Sequence, residues 1–305
     1  EKLKLEIYNS NFEFVKNVFK DISYVDITEL LYEFDSKESK YILDNINSEK
    51  SAQIISELDQ DTREKFLKIY SNKEIASYLE FIDSDDGADI LSELDEEDKV
   101  DVILNISDKQ KSKDLKDLLK YDDDVAGGLM AKELVKCNIN WKISQCINLI
   151  KKQAEKVSMI YSVYVTDDKG KLLGKVSLKD IILAKDNSQI KDVYDDYIIS
   201  VNVKMNQEDV AQIMQKYDLT VLPVVNKRGK LVGRITIDDV VDVITETAEE
   251  ERQIMSGITS DVEEDDSVWK LSNARLPWLI IGIFGGLFGA FYLGSFESNY
   301  FNGNE

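Results

Sequence analysis

The chain has 305 residues, with 59 Asp and Glu against 38 Lys and Arg and a formal net charge of −21. Such acidity argues against binding to a nucleic-acid backbone, which needs a basic face. The absence of histidine excludes His-based catalytic triads and His-ligated metal sites, and the many carboxylates favour hard cations such as Mg2+.

The first 130 residues carry a repeated helical pattern. The motif Ala-x-Ile-x-Ser-Glu-Leu-Asp occurs at 52–59 and again at 88–95, and each copy precedes another short apolar helical pattern. Asp, Ser or Asn residues at the boundaries are suited to cap helix N-termini. The sequence therefore predicts about nine or ten short helices stacked as an all-α, acidic superhelix.

Two copies of one α/β unit follow. Residues 164–182 align with residues 223–241 at a constant offset of 59. Each copy predicts a strand, a polar turn with Gly, a second strand, and Ser/Thr-x-x-Asp at the start of a helix. This duplication resembles a tandem pair of CBS domains, assigned to residues 131–196 and 197–245.

The CBS resemblance implies a nucleotide site. CBS pairs often bind adenosine nucleotides between the two units, with the Ser/Thr-x-x-Asp carboxylate on the ribose. In this sequence the candidates are Asp180, with its neighbour Lys179, and Asp239. The alternative is that both aspartates only cap helices. No aromatic platform for adenine is evident at Ser162 or Leu219, so ATP or another adenosine nucleotide is a weak candidate ligand.

A long apolar segment lies near the C-terminus. Residues 276–296 contain no formal charge, and a helix of that length spans about 31 Å, one bilayer core. Trp278 and Tyr292 near its ends are typical of membrane interfaces. We expect one transmembrane helix over residues 275–297, followed by a tail at 298–305.

The flanking charges predict an orientation for that helix. Lys270 and Arg275 precede it, whereas only acidic residues follow it. The positive-inside rule then places residues 1–275 in the cytoplasm. The expected location is the cell membrane.

Three stretches are unusually acidic. Residues 83–98 hold nine acids and no base, residues 238–251 hold seven acids and no base, and residues 261–266 hold five acids. Pairs such as Asp85 and Asp89 are four residues apart, so on a helix they share a face and repel each other. A hard divalent cation could neutralise them. The alternative is an acidic surface that is simply solvated and aids solubility.

The order of these parts resembles the MgtE family of magnesium channels and transporters. The resemblance covers nearly the whole chain, and it is carried by segments 121–130, 217–225, 238–244, 275–279 and 296–298. In that family the cytoplasmic part is a homodimeric Mg2+ sensor. Its plug helix, expected here at 246–274, joins the CBS pair to the pore. Bound Mg2+ holds the channel closed.

The resemblance also implies a set of metal ligands on the helical domain, the second CBS unit and the plug helix. They are Asp85, Asp89, Glu208, Asp218, Asp239, Asp242, Glu246, Glu250 and Glu251. Family members have five membrane helices, whereas one span is present here. The remaining helices of the channel are therefore expected as partners outside this chain.

Two other functions compete with a magnesium sensor. The first is a membrane-tethered CBS module that senses an adenosine nucleotide. The second is a metal-dependent hydrolase that uses paired carboxylates. Because no nucleophile, phosphate-binding loop or oxyanion hole is recognisable, we expect that the protein is not an enzyme.

Overall fold

The computed structural model describes residues 2–153, 160, 162–185, 187–255 and 268–301. It divides into two compact units, Glu1–Val240 and Val241–Glu305. The first unit contains the helical domain and most of the CBS pair. The second contains most of a connecting helix and a long apolar helix.

Ten helices of seven to ten residues occupy the described residues from 2 to 118, as the repeat predicts. They are α1 (Lys2–Tyr8), α2 (Phe12–Phe19), α3 (Tyr24–Leu31), α4 (Ser36–Asp44), α5 (Ser48–Glu57), α6 (Gln60–Leu67), α7 (Asn72–Leu79), α8 (Ser84–Ser92), α9 (Glu96–Asn105) and α10 (Lys109–Leu118).

Local capping explains why these helices are short and begin where they do. In seven of them the N-cap side chain accepts a hydrogen bond from an amide of the first turn, which satisfies a group that lacks an intrahelical partner. These caps are Asn11, Ser23, Asp35, Asn47, Asp59, Ser71 and Asp108. The apolar faces then pack inward, and Ile54, Leu79 and Leu91 are fully buried.

The two α/β units have the same strand order. The first contains β1 (Val135–Asn138), α11 (Ile143–Gln153), β2 (Val163–Thr166), β3 (Leu172–Val176) and α12 (Leu178–Leu183). The second contains β4 (Val201–Asn202), α13 (Gln207–Lys216), β5 (Val221–Val225) and β6 (Leu231–Thr236). In each three-stranded sheet the first pair is parallel and the second pair is antiparallel.

The hairpin turns of the two units meet. Gly170 and Gly229 adopt positive φ values of 78° and 72°, which glycine reaches without steric cost. The amide of Leu172 donates to Gly229 O at 3.0 Å, and the amide of Leu231 donates to Gly170 O at 3.1 Å. These reciprocal bonds join the hairpin turns of the two sheets.

The helical domain packs against the second α/β unit. One continuous apolar core contains residues of both, whereas the first α/β unit has a core of its own. The segment that connects α10 to β1 lies close to β6. In it, Ala131 exchanges backbone hydrogen bonds with Arg234 at 2.8 and 2.9 Å. Gly233 allows this approach, since a Cβ there would lie 2.7 Å from Met130 Sδ.

Two more helices complete the described chain, α14 (Ile237–Met255) and α15 (Val268–Phe301). Helix α14 passes position 246 without a break, so the predicted start of the plug helix lies inside it. Residues 256–267 lie outside the described part. Within α15, Ser272–Gly294 has a mean hydropathy of 1.9 and is 0% buried, so it is long and apolar enough to cross a membrane.

Candidate cation site at the domain junction

Four carboxylates meet where α8 faces the start of α14. Asp85, Asp86 and Asp89 come from α8, and Asp239 is the third residue of α14. Thr236 fixes Asp239, because its amide and its hydroxyl both donate to Asp239 Oδ2, at 2.9 and 2.6 Å. A predicted capping motif thus also aims a carboxylate at the helical domain.

The pKa values show that these acids repel one another. Burial raises the pKa of Asp85 well above its usual range, and the charge of Asp239 raises it further. Burial and the charge of Asp239 raise the pKa of Asp86 to about 7. Burial also raises the pKa of Asp239 to about 6, although the Thr236 hydrogen bonds oppose it. Negative charge is therefore concentrated here without full compensation.

Asp89 lies at the solvent edge of this group. Its side chain is exposed, yet surrounding protein atoms desolvate it enough to raise its pKa to about 6, against the opposing charge of Arg63. Arg63 itself is bound to Glu93, with Nη2 2.6 Å from Oε1. This cation is thus only partly available to offset Asp89.

Two ion pairs border the four carboxylates. Arg234 Nη2 donates to Asp83 Oδ2 at 2.8 Å, and Lys111 Nζ lies 2.9 Å from Glu133 Oε1. Burial and Glu133 raise the pKa of Asp83 despite Arg234. Burial also acts to raise the pKa of Glu133, but Lys111 and Ser84 outweigh it and the value is lowered. Both acids are therefore already paired with cations.

The structure brings three of the predicted ligands together, namely Asp85, Asp89 and Asp239. Glu208 and Asp218 lie elsewhere, exposed at opposite ends of α13. Helix α13 has ten residues and is about 15 Å long, so side chains at its two ends cannot share one ion. Asp218 has a positive φ of 50° just beyond the end of the helix.

The other predicted ligands belong to the second unit. Asp242 and Glu251 lie on α14 and are exposed. The side chains of Glu246 and Glu250 are outside the described part of the structure. Asp86 was not among the predicted ligands, but the structure places it in the same group of carboxylates, and its position within the acidic run of α8 was a signal for that.

The donor chemistry of the junction fits a hard divalent cation. Among the described residues, no three Asp, Glu or Cys side chains converge tightly enough to hold a metal ion as a set. Mg2+ needs only one or two carboxylates and keeps several of its own waters. Asp85, Asp86 and Asp239, whose charges repel one another, are carboxylates of the kind that such an ion prefers.

The weaker nucleotide candidates are arranged as a helix cap. Asp180 Oδ2 accepts from Ser177 Oγ at 2.6 Å, and the Asp180 amide donates back to Ser177 Oγ at 3.0 Å. Asp180 and Lys179 are both exposed. Their geometry is explained by capping alone and does not by itself point to a ligand.

The fold is thus a helical domain joined to a pair of CBS-like α/β units, with an acidic junction between the helical domain and the second unit. The family model of the MgtE intracellular N domain matches residues 22–124, and the family model of the CBS domain matches residues 125–187 and 190–246. The chain belongs to the MgtE family.

Similar proteins agree with that assignment. The magnesium transporter MgtE of Enterococcus faecalis is 36% identical over 190 residues, covering 62% of this chain and 42% of that protein. The soluble part of a magnesium transporter superposes with a TM-score of 0.72 at 28% identity, covering 81% of this chain and 96% of that one. The cytosolic domain of the Mg2+ channel MgtE in complex with ATP gives a TM-score of 0.70 at 31% identity, covering 75% and 93%.

These three relatives are a transporter, the soluble part of a transporter and the cytosolic domain of a channel, whereas two inosine-5'-monophosphate dehydrogenases match only 23% and 27% of this chain. The chain spans about half the length of the curated relatives that it matches.

Proposed function

We propose that this chain is the Mg2+-sensing and gating region of a magnesium channel or transporter. The observation that carries the proposal is the group of four carboxylates at the junction of the helical domain and the second CBS unit. Burial and mutual repulsion raise their pKa values, so the packed arrangement is short of positive charge. A cation bound there would supply it.

The physics of such a sensor is a population shift. Bringing the carboxylates of α8 against Asp239 costs free energy in the absence of a cation, because like charges are desolvated together. An ion that binds the packed arrangement better than the separated one stabilises it by mass action. Packing at this junction would then follow the cytoplasmic Mg2+ concentration.

The remaining parts of the proposal concern the assembly. The domain boundaries stay as predicted, at 1–130, 131–196, 197–245, 246–274, 275–297 and 298–305. Helix α14 begins the plug, and α15 crosses the membrane with residues 1–275 in the cytoplasm. The chain works as a homodimer with the further membrane helices of a multi-pass channel. The family assignment and the exposed apolar helix support this arrangement.

The test is a Mg2+ titration of the chain in detergent micelles, followed by limited proteolysis and small-angle scattering. We expect compaction and protection at millimolar Mg2+ that matched Na+ does not produce. The response should be lost in the double variant Asp85→Ala with Asp239→Ala. Glu97→Ala with Asp209→Ala removes two exposed acids elsewhere and should keep it. Equal responses to Mg2+ and Na+ would refute the proposal.

A second candidate function is binding of an adenosine nucleotide by the CBS pair. It is favoured by the related cytosolic domain that was crystallised with ATP and is 31% identical. The measurement is the melting temperature with ATP and with Mg2+ added separately. A rise with ATP alone would favour a nucleotide-sensing regulator, and Asp180→Ala would test the predicted ribose contact. No rise with ATP would exclude this function.

A further inference from the structure

The two hairpin turns that bind each other concentrate positive charge. Residues 167–171 and 226–230 contain five bases and two acids, a net charge of +3 in a chain whose net charge is −21. All five basic side chains are exposed, and they are Lys169, Lys171, Lys227, Arg228 and Lys230. We call this surface the basic turn patch.

Backbone pairing fixes the basic turn patch in place. Lys171 and Lys230 lie opposite each other in an antiparallel bridge, and the reciprocal bonds of Leu172 and Leu231 flank them. The stem of Lys171 crosses the second turn, since a Cβ on Gly229 would lie 3.5 Å from its Cγ and its Cε. Like charges directly opposite on paired strands are destabilising. The fold therefore holds these cations together at some cost in stability.

The acids of the first turn are used for hydrogen bonds within the protein. Asp167 Oδ1 accepts from two amides of its own turn, both at 2.8 Å, and Asn226 takes the same place in the second turn. Asp168 Oδ1 accepts from Asn138 Nδ2 at 2.8 Å. Within the described part of the chain, none of the five basic side chains forms an ion pair. The basic turn patch is therefore available to an anionic surface from outside.

We propose that the basic turn patch docks on the anionic headgroups of the bilayer that holds α15. A net charge of +3 corresponds to about a hundredfold preference for an anionic over a neutral lipid surface. In the proposed arrangement, Ser272–Gly294 attaches the same chain to the bilayer, which keeps the patch near lipid at a high effective concentration. The docking rests on that membrane attachment, which is part of the proposed function, but not on the Mg2+ response.

The form of the basic turn patch favours a lipid surface over a dissolved anion. Its charges lie on exposed hairpin turns, whereas sites for small ligands are concave and bury most of the ligand. Attraction to a charged membrane needs only exposed cations within about a Debye length of the headgroups. The rest of the chain is strongly acidic, and anionic lipid repels it. The patch therefore selects which surface of the CBS pair faces the lipid.

Lysine acetylation of the chain in lipid nanodiscs with EDTA tests the docking. Lys171 and Lys230 are the reporters, and Lys68 at the end of α6, with 75% of its side chain exposed, is the reference. At low salt, both reporters should react about tenfold more slowly in nanodiscs that contain phosphatidylglycerol than in nanodiscs of phosphatidylcholine alone. Lys68 should react equally in both. High salt should remove the difference, because it screens the headgroup charge.

A triple variant removes charge from the turns and keeps both reporters, namely Lys169→Gln with Lys227→Gln and Arg228→Gln. Protection of the reporters by anionic lipid should be lost in it. The matched control changes the net charge equally by removing three exposed lysines of the helical domain, Lys73→Gln with Lys113→Gln and Lys116→Gln. It should keep the protection. Circular dichroism reports whether each variant folds, and if the turn variant does not, the lipid and salt comparisons on the unaltered chain decide.

Equal acetylation of the reporters in anionic and neutral nanodiscs would overturn the docking. Equal protection in neutral nanodiscs by added inorganic phosphate or polyglutamate would overturn it too, since the patch would then bind a dissolved anion or an acidic protein. A chain that does not enter nanodiscs would refute the membrane attachment, and sedimentation with vesicles of the same two compositions would then decide the patch. A failed Mg2+ titration would refute the sensor and leave this result standing.

Discussion

Replacing Asp86 by Asn should stabilise the protein when no divalent cation is present. The pKa of Asp86 is raised from 3.8 to about 7 by burial and by its neighbours Asp239 and Asp89. That displacement corresponds to about 4 kcal/mol of disfavoured ionisation. Asn keeps the shape and polarity of the side chain but loses the charge. Since some burial cost remains for the amide, we expect a gain of about 2 kcal/mol.

Thermal unfolding in EDTA at pH 7.5 measures the effect. For a unit of this size, 1 kcal/mol corresponds to about 2–4 °C, so Asp86→Asn should raise the melting temperature by about 4–8 °C. Added Mg2+ should then stabilise the variant less than the unaltered chain. Asp209→Asn, an exposed acid on α13, should change neither value. A melting temperature in EDTA at or below that of the unaltered chain would refute this account of the acidic junction.

Three other predictions concern the pH dependence of the acidic junction, one ion pair and one glycine. The pKa values of Asp86, Asp89 and Asp239 lie above their unfolded values, so the folded state binds more protons than the unfolded state. The melting temperature in EDTA should therefore fall as pH rises from about 4 to about 7, and a flat profile would contradict this. Arg63→Met leaves the Glu93 carboxylate buried without its cation and should lower the free energy of unfolding by about 3 kcal/mol. The double variant with Glu93→Leu should regain most of that stability in thermal unfolding, and no gain would contradict the pairing. Gly233→Val places a Cβ against Met130 and Ala131, in the segment between α10 and β1. It should speed proteolytic cleavage between the helical domain and the CBS pair, and an unchanged digestion rate would contradict this prediction.

Much of the fold follows from repetition in the sequence. The helical repeat and its polar caps predict the short helices, because each cap is a local interaction between residues two or three apart. The offset of 59 predicts both hairpins and their following helices. Strands β1 and β4 were missed, since four and two residues carry too little alternation to indicate a strand.

The candidate site was less accessible to sequence reasoning. Resemblance to a family suggested Asp85, Asp89 and Asp239, and the structure brings these together, while their role in binding a metal stays a prediction. The ion pair between Arg234 and Asp83 left no local signal, because the two residues are 151 positions apart in the chain. Asp83 looks like an ordinary helix cap in sequence. Only tertiary packing diverts its carboxylate to another domain.

The reciprocal bonds between the two hairpin turns have a consequence for the duplicated unit. A single copy has one three-stranded sheet and about 60 residues, near the lower limit for independent folding. Without its neighbour, the amide of Leu172 or Leu231 would lose its carbonyl acceptor. A gene fragment encoding one copy should therefore recover stability by pairing with an identical chain, turn against turn, so that the internal duplication is replaced by association of two molecules.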